Sequence, residues 1–251
     1  MLGVLTADHG NHAKAVDLFT RATTLDTRHA AAFAQLARSE IALSRREQAL
    51  HAANAAAALL PTDAYTLDTL GVVYSRAGLH RRATPFYAAA TQTAPSVSSY
   101  HYNHGAALQF LGEMEAARDA YRRCLAIDPL ETRALSSIVQ ITRQSPAENL
   151  VAELEAAFAA TKSDPDDALR IGHALAKAHE DLGDSIEALN WLHRAKAKKR
   201  VTIQHDPSAD NALFDAARSV PTNLLGASGF ETCAPIFIVG MPRTGTTLVD
   251  R

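Results

Sequence analysis

The sequence predicts an all-α solenoid of helical hairpins with a 34-residue period, followed by one strand, a loop and the start of a helix from another architecture. Three observations predict this. Five columns recur in register: Ala15, Ala49, Ala83 and Ala117; Ala22, Ala56, Ala90 and Cys124; Phe19, Ala53, Tyr87 and Tyr121; Gly10, Ser44, Gly78 and Gly112; and Pro61, Pro95 and Pro129. Alanine dominates a chain that is 47% hydrophobic but only 6% aromatic, as suits closely packed helices. The convincing strand, Pro235-Ile236-Phe237-Ile238-Val239-Gly240, comes only near the end.

Each column has a physical reason. The Gly or Ser falls between two helical stretches, where a turn needs relaxed backbone limits. The two small-residue columns lie on one face of the second helix, where the first helix must approach closely. The aromatic column is expected to fill space between units. The proline sits just past the second helix and ends it. Met1 falls about five residues inside the first helix of its repeat, so a truncated or misassigned start is expected.

These columns resemble the tetratricopeptide repeat. The unit from Ala64 to Val97 matches it best, with Leu70, Gly71, Tyr74, Gly78, Ala83, Tyr87, Ala90 and Pro95 in place. The resemblance implies a right-handed superhelical solenoid that binds a protein or peptide partner along a concave groove lined by first helices. That line would include Arg38, Tyr65, Asp68, Arg76, Tyr102, Asn103 and Phe110. Asn103 stands where such repeats often bind a peptide backbone. Gln35 and Thr69 hold the equivalent places, so there is no Asn ladder, nor is there an ordered Lys/Arg clamp. The alternative occupant of the groove is a downstream domain of the same chain.

The register weakens after Pro129. Residues 131–161 still read as two helices, the second expected to start with Ser145 as cap, Pro146 in the first position and Glu148 completing a capping box. Asp164-Pro165 repeats this logic, and Gly183, Ala188, Leu192 and Ala195 recover the columns. Lys196, Lys198, Lys199 and Arg200 then close a helix. They suit a phosphorylated ligand, but cations at a helix C-terminus are the simpler reading. Residues 201–234 read as a linker with a short amphipathic helix at about 208–218. The chain thus divides into repeats at 1–131, the first incomplete, degenerate and recovered repeats at 132–200, the linker, and a different start at 235–251.

In that last segment, an apolar strand runs into Met241-Pro242-Arg243-Thr244-Gly245-Thr246-Thr247-Leu248. A strand, a glycine-containing loop and a helix N-terminus together make an anion cradle. Gly240 and Gly245 are spaced as in a nucleotide phosphate loop, but Thr246 stands where that loop needs Lys, which disfavours an ATP or GTP hydrolase. The segment is similar to the donor loop of the sulfotransferase family. The whole chain resembles a bacterial type that joins a repeat array to a sulfotransferase domain. The resemblance implies 3′-phosphoadenosine 5′-phosphosulfate as co-substrate. Pro242, Arg243, Thr244, Gly245, Thr246 and Thr247 would form its loop. Arg243 would be the catalytic contact to the sulfuryl group, and the following residues would hold the 5′-phosphosulfate. The family's 3′-phosphate site and catalytic base would lie past Arg251. These 251 residues alone are therefore expected neither to bind the donor tightly nor to transfer sulfate. Asp250-Arg251 departs from the Glu-Gln usual in the family.

The remaining features narrow the classes. With 25 basic against 27 acidic residues, charge gives no case for nucleic acid or an anionic membrane. The N-terminal MLGVLTADHG has no basic region or apolar run of a signal peptide, and no stretch approaches membrane-spanning length. Cys124 and Cys233 fit no metal spacing, and a reducing, cytoplasmic setting is expected. His101 and His104 lie three apart without a carboxylate or Cys at ligand spacing, so no metal is expected there. The leading expectation is the N-terminal part of a sulfotransferase acting on a hydroxyl acceptor, with partner-binding repeats. The alternative is a non-enzymatic tetratricopeptide scaffold.

Overall fold

The computed structural model describes residues 2–161, 164–202 and 206–219, and among these all regular structure is helical. The chain divides into two units, Met1–Ile203 and Gln204–Arg251. The first holds four regular hairpins: α1 (Leu2–Asp8) with α2 (His12–Leu25), α3 (Ala30–Ala42) with α4 (Arg46–Ala58), α5 (Ala64–Arg76) with α6 (His80–Thr93), and α7 (Ser98–Phe110) with α8 (Met114–Ile127). Shorter helices follow, α9 (Thr132–Ile141) and α10 (Val151–Ala160), then the long hairpin of α11 (Pro165–Asp181) and α12 (Ser185–Arg200). The second unit contributes α13 (Pro207–Arg218), which exposes Leu213 and Phe214. The expected strand and donor loop at 235–251 lie outside the described residues. No described helix is long and apolar enough to cross a membrane.

The turn column behaves as its chemistry requires. Gly10, Gly78 and Gly112 have φ of 77°, 78° and 80°, and Gly183 of the last hairpin has 84°. Ser44 takes φ 61° in the same column, a region that is strained for a residue with a Cβ. Ser44→Gly is therefore expected to raise the unfolding free energy by about 0.5–1 kcal/mol in a urea titration. An unchanged midpoint would show that this turn carries no strain.

The small column on the second helices is sealed: Ala15, Ala49, Ala83 and Ala117 are all fully buried. The aromatic column has a partner within the hairpin as well as between units. Its rings meet the first helix of their own hairpin, and they share core clusters with the next unit, Tyr87 with Ala107 and Tyr121 with Ala134 and Ile138. A methyl group on Gly71 of α5 would lie 2.5 Å from the Tyr87 ring on α6, and one on Gly105 of α7 would lie 2.7 Å from Tyr121 on α8. Gly3 faces Phe19 in the same way, at 2.9 Å. In the second hairpin the partners are Ala37 and Ala53, both fully buried. A ring on one helix thus demands a bare backbone on the other, and losing the ring admits a methyl.

Polar bonds lock neighbouring units. Tyr74, fully buried, donates through its hydroxyl to Asn54 Oδ1 on α4 at 2.9 Å and stacks on Phe86. Arg46 of α4 donates to the Ala77 carbonyl at the end of α5. Pro85 sits inside α6 without ending it.

The irregular hairpin corrects one expected boundary. Ser145 Oγ accepts from the Glu148 amide at 3.1 Å, as a cap would. Yet the helix begins only at Val151. Side chains satisfy the intervening backbone instead: Asn149 Nδ2 donates to the Ser145 carbonyl, and the Leu150 amide donates to Gln144 Oε1. Local side-chain bonds of this kind compete with a helix. Asp164 does cap α11, accepting from the Asp166 and Asp167 amides with Pro165 in the first turn.

Candidate functional site

Two short spacings along the chain place the candidate side chains. Gln35 and Arg38 lie three apart on α3, Tyr65, Asp68 and Thr69 span one turn of α5, and Asn103 lies on α7. Residues three or four apart share a helix face. These first helices stack side by side, α3 on α5 and α5 on α7.

Polar or cation–π contacts bridge the steps between first helices from α3 to α11. Gln35 Nε2 donates to Thr69 Oγ1 at 3.3 Å, across 34 residues. Arg38 Nη1 donates to the Tyr65 hydroxyl at 3.2 Å. Asn103 Nδ2 donates to Asp68 Oδ1 at 2.9 Å, across 35 residues. The Arg133 guanidinium of α9 lies 4.3 Å over the Tyr102 ring of α7. Thr132 Oγ1 of α9 donates to Asp167 Oδ1 of α11 at 3.0 Å, again across 35 residues. A series of bridges therefore joins the first helices from α3 to α11.

The structure sorts the seven sequence-selected groove residues. It brings Arg38, Tyr65, Asp68 and Asn103 into one cluster. The Asn103 amide nitrogen gives one of its two hydrogens to Asp68, which leaves the other for a peptide backbone. The Tyr102 ring, half-buried, rests against Tyr121, at 5.7 Å between centroids, beneath Arg133. Arg76 is exposed and makes none of the bridges. Phe110, 73% exposed, stacks flat on His80 at 4.2 Å, and His80 in turn meets Ser75 Oγ. It sits at the end of α7, one residue before the cap.

Asp68 is the electrostatic centre of the cluster. Burial pushes its carboxyl up to about 6, against the hydrogen bond from Asn103 and the charge of Arg38, which pull it down. Tyr87 is held above its ordinary value by burial and then by the Asp68 charge. Burial and the charges of Asp68, Tyr65 and Asp63 raise Tyr100. Sequence reasoning missed Tyr100 and the Gln35–Thr69 bridge. The repeat interval is the signal that joins Gln35 to Thr69.

The other constellations are resolved plainly. His101 is buried, and its Nε2 meets the Pro95 carbonyl at 2.9 Å, so it is a satisfied core residue. Burial, then the charges of His101 and Arg123, lower His104. No group of three or more His, Cys, Asp or Glu able to hold a metal ion occurs among the described residues. In the basic run, Lys199 pairs with Asp166, and Lys198 lies 4.3 Å over the Phe158 ring. Beside them a cavity of about 920 Å³ is lined by Leu169, His173, His193, Lys196, Lys199 and Arg200, among others. Pro242, Arg243, Thr244, Gly245, Thr246 and Thr247 lie outside the described residues.

Comparisons with known proteins agree with the repeat reading. The tetratricopeptide repeat model matches residues 98–129, which span α7 and α8. No curated protein matches the chain. Among solved structures, PilF of Pseudomonas aeruginosa is similar with a TM-score of 0.60 and 18% identity, over 77% of this chain and 88% of that one. A thermophilic tetratricopeptide protein of Thermus thermophilus is similar with a TM-score of 0.54 and 22% identity, over 69% and 95%. YrrB, described as a repeat protein of this type with an unusual peptide-binding site, is similar with a TM-score of 0.50 and 15% identity, over 75% and 87%. At these identities the likeness shows the helical-repeat fold.

Proposed function

We propose that the chain is a protein-interaction scaffold that binds a peptide segment of a partner on the first-helix face of α3, α5 and α7. The carrying observation is the cluster on that face: an exposed Tyr65, 46% open, bonded to Arg38 beside a largely desolvated Asp68. Aromatic and Arg anchors next to a desolvated polar group are the usual composition of a binding hot spot. The similarity to a repeat protein described as having a peptide-binding site supports the same reading. A reducing, cytoplasmic setting belongs to the proposal; Cys124 is a buried free thiol.

The test is affinity selection of random peptides by the 251-residue protein, then titration of a selected peptide. Tyr65→Ala and Arg38→Ala are each expected to weaken it at least about tenfold. Unchanged affinity in both variants would overturn the assignment of this face.

A second reading rests on the sequence of residues 242–247 and its similarity to a sulfotransferase donor loop. In that reading the scaffold is the partner-binding part of an enzyme that uses 3′-phosphoadenosine 5′-phosphosulfate, with Arg243 at the sulfuryl group. Calorimetric titration with millimolar 3′-phosphoadenosine 5′-phosphosulfate tests it. Heat that disappears in Arg243→Ala supports the loop, and identical curves for both proteins remove it.

A further inference from the structure

Buried charges in folded proteins are paired, because an unpaired charge out of water is expensive. Asp68 is partly buried, with the Arg38 charge nearby but, among the described residues, no ion pair closed on it. Its Oδ1 takes a single hydrogen bond, from Asn103. The neighbouring cation, Arg38, gives its Nη1 to the Tyr65 hydroxyl instead. A second acceptor stands close by on α3. Gln35, only 4% exposed, donates to Thr69, the residue after Asp68, while its own Oε1 has no donor among the described residues.

Two acceptors short of donors, one of them anionic, thus lie on adjoining first helices. Tyrosines lie near Asp68. Tyr65 exposes nearly half of its surface, and Tyr87 and Tyr100 both feel the Asp68 charge. A carboxylate flanked by aromatic rings is a setting that attracts an organic cation. A metal ion is disfavoured, since no three-ligand group occurs among the described residues. An acidic side chain would meet a like charge at close range.

We infer that the first-helix face around Asp68 receives a basic side chain, Lys or Arg, of the peptide partner, whose cation completes the ion pair that the chain itself leaves open. This rests on the peptide-binding reading of the same face. The competing account is internal: Arg38 leaves Tyr65 and closes on Asp68, so that no outside cation is wanted.

Selection from a random peptide library separates these accounts. The intact protein and its Asp68→Asn variant are each used as bait; the substitution keeps the side-chain shape and an acceptor for Asn103. The wild-type protein is expected to return peptides with Lys or Arg at one fixed position, enriched at least about tenfold over the starting library. Asp68→Asn is expected to return peptides without that preference, and circular dichroism should show the same helix content. Wild-type peptides with no basic position would overturn the inference while leaving peptide binding intact. A basic position that persists in Asp68→Asn would overturn it too. If the wild-type protein returns no peptide at all, the peptide-binding reading falls, and this inference with it.

Discussion

Tyr87→Ala is expected to lower the unfolding free energy by about 3–4 kcal/mol, and adding Gly71→Ala is expected to recover part of that loss. The reason is the fit between α5 and α6. Tyr87 is 3% exposed, and its ring occupies the space where a Gly71 methyl would lie 2.5 Å away. In the wild-type background Gly71→Ala overpacks this contact, costing about 1–3 kcal/mol, from which about 1 kcal/mol of better helix propensity is subtracted. Once the ring is gone, the same methyl partly fills the cavity, and only the propensity gain remains. The protein already holds a precedent in its second hairpin, where Ala37 and Ala53 stand in these two columns. Urea titration of the four proteins should give a coupling of about 1–3 kcal/mol between the sites. Additive losses would mean that the ring and the bare backbone are not a matched pair.

Asp68→Asn is expected to stabilise the protein at pH 7 by about 1–2 kcal/mol. The carboxyl titrates near 6 in the fold, against 3.8 as its ordinary value. The folded state therefore holds more protons than the unfolded one between these limits. Stability contributed by this group is highest below pH 4, falls as pH rises towards 6, and stays low above it. Two pKa units correspond to about 3 kcal/mol, reduced here because the side chain keeps some solvent contact. Other carboxyls act in the opposite sense at lower pH: Glu131, bonded to Arg133, sits below its ordinary value. The stability difference between wild type and Asp68→Asn isolates the one group. It should shrink towards zero as the pH drops from 6 to 4. A difference independent of pH would contradict the desolvated carboxylate.

A stabilising substitution in the middle of a proposed binding face fits the wider account. A charge that costs stability in the free protein is a candidate for work in the bound one.

Much of this fold was legible because its constraints are local and repeated. Positive φ at Gly10, Gly78 and Gly112 favours a residue without a Cβ, and the sequence repeats glycine there with Ser44 as the one exception in the column. The buried alanines are legible for the same reason. The second partner of the aromatic column, the Gly3, Ala37, Gly71 and Gly105 column, was missed because it lies on the other helix of the hairpin. Only the distances across that hairpin reveal the match. Ser145 carries a sound capping pattern, but Asn149 and Gln144 compete for the same backbone. Pro85 shows the converse, a residue that breaks helices by rule standing within α6.

The candidate site was legible as a set of positions but not as a set of bonds. Arg38, Tyr65, Asp68 and Asn103 follow from helix register alone. That Arg38 chooses Tyr65, and that Asn103 reaches back to Asp68, depends on how α3, α5 and α7 stack. Burial of Asp68 arises from the same stacking, and no sequence pattern announces it.

The most direct test of a binding face on α3, α5 and α7 is hydrogen–deuterium exchange of the 251-residue protein with and without a saturating, selected peptide. The account predicts slowed exchange in α3, α5 and α7, centred on the turns that carry Arg38, Asp68 and Asn103, with α4, α6 and α8 unchanged. Protection confined to the second helices, or to α11 and α12 around the basic cavity, would contradict it.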